Sequence, residues 1–141
     1  MRILTLLALC LTILLSPLAT TPAFAATPAE IATQVRTNWA NAKSAYLNAV
    51  KPYAANNATL ISQYSAALDK AGGSLENFLT LKQQSPAPSS TTMTAAVDQL
   101  AKDLLTLRGL TGKATGGLAT ALSSALTQQN QVAQTALANM R

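Results

Sequence analysis

Three aromatic side chains at a spacing of seven, Trp39, Tyr46 and Tyr53, are the residues of this chain best suited to holding a ligand or partner. On a helix that spacing keeps them near one face. Such a stripe can pack as ordinary core, or it can line a slot for a lipid tail or a flat ring. Tyr64 and Phe78 are the other aromatics downstream of residue 25.

Few residues are equipped for catalysis. Histidine is absent, which removes the commonest general base and the commonest metal ligand. The one cysteine, Cys10, lies in an apolar N-terminal run, with bulky Leu9 before it where a lipid-attachment site needs a small residue. Beyond that run no thiol is available for a disulfide or a thiolate metal site. The five carboxylates, Glu30, Asp69, Glu76, Asp98 and Asp103, do not cluster as a calcium or magnesium loop requires. Asp98 and Asp103 are five apart, about 140° around a helix. Gly109-Leu110-Thr111-Gly112-Lys113-Ala114-Thr115 superficially resembles a phosphate-binding loop. It fails because Leu107 stands where the first glycine belongs and Ala114 where Ser or Thr must follow the lysine. The inventory therefore predicts no enzyme activity, no catalytic or metal-binding residues and no cofactor.

The N-terminus carries an address. Arg2 precedes 13 apolar residues, Ile3 to Leu15, then Ser16-Pro17, and the stretch closes on Ala23-Phe24-Ala25. Charged start, short apolar run and small residues at −3 and −1 describe a cleavable secretory signal peptide at 1–25, with Ala23 and Ala25 forming the cleavage site. The run is too short for a spanning helix of about 20 apolar residues, so no stable membrane span is expected after processing. The expected product, 26–141, is a single domain that is secreted or periplasmic. It keeps nine Lys/Arg against five Asp/Glu, a net charge of +4. These cations are scattered rather than striped, so nucleic acid is not an expected partner.

The elements that must position the aromatic stripe are helices. Thr27-Pro28-Ala29-Glu30 combines an N-cap threonine, proline at N1 and glutamate at N3, a capping box. Ala32, Val35, Trp39, Ala42, Tyr46, Ala49 and Tyr53 then recur at 3-4 spacing, predicting a helix from about 28 to 50 that Pro52 kinks or ends. Asn56-Asn57 signals a second start, followed by Leu60, Ile61, Tyr64, Ala67, Leu68 and Ala71. Gly72-Gly73 reads as a plain turn in preference to a hinge, leaving one broken helix or two short ones. Ser85-Pro86-Ala87-Pro88-Ser89-Ser90 is an extended loop. Thr91 or Thr92 caps a third segment carrying Met93, Val97, Leu100, Leu104 and Leu107. A glycine-rich turn leads to the last helix, where Gln128-Gln129-Asn130-Gln131 puts polar residues at the seam, implying a wet end or a partner contact.

The segments, about 28–53, 57–84, 92–109 and 114–140, predict an all-α fold, an antiparallel up-and-down bundle of about four helices. Of the 116 residues after the leader, 24 are alanine, which favours helix but buries little apolar area. Either the helices approach closely around their few large residues, or the missing burial comes from self-association or an apolar ligand. By elimination, the expected function is that of a non-enzymatic exported bundle binding a partner protein or cell-envelope component. The alternative is a carrier of a lipid-like ligand between its helices.

Overall fold

The computed structural model describes residues 26–140; the expected signal peptide, with its expected cleavage residues Ala23 and Ala25, lies outside the described residues. Those residues are helical apart from short connections, with no strand among them. Helix α1 spans Pro28–Val50, α2 Ala54–Lys82, α3 Ser90–Thr111 and α4 Gly116–Asn139, and a 3-10 turn at Lys51–Tyr53 joins α1 to α2.

Helix α1 starts where its capping box dictates. Thr27 is extended (φ −67°, ψ 154°), and its Oγ1 accepts a hydrogen bond from the Glu30 amide at 3.2 Å. Its own amide donates to Glu30 Oε2 at 2.7 Å, so two otherwise unpaired donors at the helix end are satisfied reciprocally. Pro52 lacks the N–H to continue the helix, and the chain tightens into the 3-10 turn. Helix α2 begins at Ala54 but is kinked at Asn57 (φ −134°, ψ 24°), whose Nδ2 donates to the Tyr53 carbonyl at 3.2 Å. The Asn56-Asn57 signal thus marks a real break, placed inside the assigned element. Chain reversal occurs between Lys51 and Asn57, because α2 then runs back along α1: Tyr46 meets Ser65, Lys43 meets Asp69 and Arg36 meets Glu76.

The double glycine does not make a turn. Helix α2 continues through Gly72 and Gly73 to Lys82, because its packing outweighs the roughly 1 kcal/mol per glycine of lost propensity. Helix α3 starts earlier than Thr91: Ser89 is the N-cap, and its hydroxyl accepts from the Thr92 amide at 3.1 Å. Its buried positions are Ala96, Leu100, Asp103 and Leu107, while Met93, Val97 and Leu104 are half-buried. The stripe read from the larger residues is therefore rotated from the true one, which includes an alanine and an aspartate. Helix α4 opens at Gly116, in the left-handed region at φ 58°, where glycine avoids the Cβ clash.

The helices pack side by side around two apolar clusters. Ala32, Val35, Leu75, Phe78, Leu79, Leu100, Ala133 and Ala136 fill one end. Tyr46, Val50, Tyr64, Leu68, Leu107, Leu118 and Leu122 fill the other, with Trp39 and Leu104 packed against both. Backbones run closest along α1/α4 and α2/α3, and more widely apart at α1/α2 and α3/α4. Side-chain size fits this pattern: Ala42 of α1 and Ala125 of α4 line the α1/α4 seam, whereas tyrosines 46 and 64 stand between α1 and α2.

Candidate functional site

The aromatic stripe of α1 is divided by the fold. Tyr46 is buried at 1% exposure, and its ring lies 4.9 Å from that of Tyr64 with a 33° tilt. Its hydroxyl donates to the Ile61 carbonyl at 3.0 Å and lies 2.9 Å from Ser65 Oγ. Burial pushes the phenols of Tyr46 and Tyr64 upward from their ordinary value, and the ring of Tyr46 adds to the effect on Tyr64. Both are core residues that favour the neutral state.

Trp39 and Tyr53 are half-buried and point to different neighbours. Seven residues of straight helix fall about 20° short of two full turns, and the 3-10 turn at Lys51–Tyr53 rotates Tyr53 further. Trp39 lies over Gly72 of α2: a Cβ built on Gly72 would stand 2.8 Å from the indole Nε1. The hydroxyl end of Tyr53 lies still more tightly over Gly117 of α4. Each half-buried aromatic thus rests on a glycine that gives it room. Sequence reasoning missed this pairing, because glycine in a helical pattern is ordinarily read as punctuation.

The Trp39 site is a groove of about 280 Å³ between α1 and α2. Trp39, Gly72, Leu75 and Leu79 give it apolar walls, and Ala40 keeps its rim low. Two ion pairs frame it. Arg36 clasps Glu76 with two hydrogen bonds, Nε to Oε2 at 2.8 Å and Nη2 to Oε1 at 2.6 Å. Lys43 Nζ lies 2.5 Å from Asp69 Oδ1. The Arg36 hydrogen bonds hold the Glu76 carboxyl below its ordinary value, and Glu76 raises the guanidinium in return. The groove therefore presents an indole and two leucines between paired charges, a surface able to accept a flat or aliphatic group whose ends are polar.

Two polar groups lie deep in the structure. Asp103 on α3 is 3% exposed; it accepts from Ser74 Oγ at 2.6 Å and Gln99 Nε2 at 3.0 Å, with Lys70 Nζ at 3.5 Å. Burial alone would raise its pKa, but these donors and the lysine charge together outweigh it and hold the carboxyl low. Gln129 on α4 is fully buried, so this part of the glutamine run is dry rather than wet. Its Oε1 accepts from the Tyr64 hydroxyl at 2.9 Å, while its Nε2 has no hydrogen-bond partner among the described residues. Asp103 falls at the i+3 position between Leu100 and Leu107, a spacing that could have marked it as inward-facing.

No group of three or more potential metal-ligating side chains occurs among the described residues, and no described helix is long and apolar enough to cross a membrane. The chain matches no protein-family model, no curated protein and no solved structure.

Proposed function

We propose that this chain is exported after removal of residues 1–25 and folds as a single up-and-down bundle of four helices. In the periplasm or outside the cell it acts without catalysis, by binding a partner protein or a cell-envelope component. The observation that carries this reading is the Trp39 groove, which holds a half-buried tryptophan between two ion pairs at the joint of α1 and α2. Half-exposed tryptophan in a cleft is the kind of residue that dominates recognition energies. The interior is occupied by Tyr46, Tyr64 and Phe78, each at most 2% exposed, so a partner meets the bundle at its surface.

The test is photocrosslinking in the native host from a probe replacing the exposed Ala40. A specific adduct that disappears in Trp39→Ala supports the proposal; no adduct, or one indifferent to Trp39, refutes it. Leu75 and Leu79 in the groove wall favour a second reading, an apolar ligand seated on Trp39. That reading expects a saturable change in Trp39 emission on adding short-chain lipids, abolished in Gly72→Leu.

A further inference from the structure

The opposite flank of α1 has a different character. From Ala114 to Met140 the sequence contains no charged residue, although the chain carries ten Lys/Arg and five Asp/Glu. Helix α4 is 24 residues long, about 36 Å, and its outward positions are hydroxyls, amides and alanine: Thr120, Ser124, Gln128, Gln131 and Thr135 are all exposed. The facing side of α1 matches, with Asn38, Asn41 and Ala45. Two shallow grooves, about 420 and 320 Å³, join end to end along this α1/α4 seam through Ala45 and Gln128. Arg36 and Lys43, by contrast, are turned toward α2 and paired there.

We infer that this charge-free α1/α4 face is the contact between two copies of the chain. Charge depletion is the compositional mark of an interface core, whereas a solvated helix normally displays charges on its outer face. A two-fold contact also needs a surface complementary to itself. Amides donate and accept, as do hydroxyls, so Asn, Gln, Ser and Thr can pair with their own kind. A cationic face could not do so in a chain of net positive charge. Size also fits. A strip about 36 Å long and about 20 Å wide offers roughly 700 Å² per copy, near the approximately 800 Å² that each partner contributes to a stable interface. Exposed Ala45 and half-buried Ala121 keep the grooves shallow enough for a second helix to approach. This face lies on the far side of α1 from the Trp39 groove, so the inference stands independently of the proposed function.

The experiment is sedimentation equilibrium on protein recovered after expression of the full chain, over about a hundredfold concentration series. The expected mass is twice that of one copy at the upper end. Ser124→Lys with Gln131→Lys should return it to one copy, while Ala101→Lys with Thr106→Lys, the same added charge on exposed positions of α3, should leave it doubled. Independently of any folding defect in the lysine variant, Ser124→Cys should form a disulfide-linked pair under oxidising conditions and Thr106→Cys should not. One-copy mass throughout, equal effects of the two lysine pairs, or equal trapping by both cysteines would overturn the inference. So would capture of a different macromolecule on this face by a chain that stays single.

Discussion

Helix α1 has two flanks that solve the packing problem in opposite ways. Toward α4 the seam is lined by small residues, Ala42 and Ala45 of α1 with Ala121 and Ala125 of α4, and the backbones run close. Toward α2 the space is held open by Tyr46 and Tyr64, bridged outside by ion pairs and indented at Trp39. The first flank gains from close backbone approach and tolerates no added volume. The second gains from large buried rings and keeps a groove where a glycine recedes. One helix therefore presents an uncharged side with shallow grooves and a charge-framed side notched at Trp39, and each suits a different kind of contact.

The most severe way to break this contrast is to enlarge the close flank. Ala125→Leu, buried at the α1/α4 seam, is expected to destabilise by about 3 kcal/mol, because overpacking forces the backbones apart. Ala40→Leu, exposed at the rim of the α2-facing groove, should stay within about 0.5 kcal/mol. Urea unfolding of the two variants measures both.

The two adjacent glycines sharpen it next. A Cβ at Gly73 meets open space, so Gly73→Ala should stabilise by about 0.5–1 kcal/mol through helix propensity. Gly72→Leu must displace the indole and should cost about 1–3 kcal/mol, with a shift in Trp39 emission that Gly73→Ala does not produce.

Across the core, Tyr64 and Gln129 form a buried hydrogen bond that leaves one amide nitrogen unpaired. Gln129→Leu removes that nitrogen but takes away the acceptor of the tyrosine hydroxyl. Tyr64→Phe does the reverse. The double variant should therefore exceed the sum of the singles in stability by about 1–2 kcal/mol in a thermodynamic cycle.

Asp103 gives the pH dependence. Its folded pKa lies below the ordinary 3.8, so its contribution is complete above that value and is lost as pH falls through the folded pKa. Asp103→Asn should flatten the acid limb of a stability–pH curve. The raised phenols of Tyr46 and Tyr64 act at the other end: their contribution is whole below pH 10.0 and is lost as pH rises above it. Lys43→Ala is also small, since a half-exposed ion pair should be worth no more than about 1 kcal/mol and less in high salt.

Much of the helical framework was legible. The Thr27–Glu30 capping box placed the start of α1, and the 3-4 recurrence of apolar residues identified the helices. Two causes account for the rest: a local signal can be overridden by a neighbour distant in the chain, and heptad counting drifts along a straight helix. Gly72-Gly73 looked like a turn because the indole above Gly72 belongs to another helix. Ala49 looked like part of the seam but is exposed, and Val50 beside it is buried, since heptad counting drifts on a straight helix. Gln129 looked wet because its partner, Tyr64, lies 65 residues away. The stripe Trp39–Tyr46–Tyr53 reads as a unit in the sequence, yet its members divide among groove, core and the base of α4, a division set by the drift of about 20° per seven residues and by the 3-10 turn before α2.

The seat of Trp39 on Gly72 has an optical consequence. This indole is the chain's only one, and it straddles the joint between α1 and α2. Any parting, twist or occupancy of that joint must alter the polarity around a single fluorophore. The molecule thus carries its own strain gauge, legible without labels, at the joint between α1 and α2.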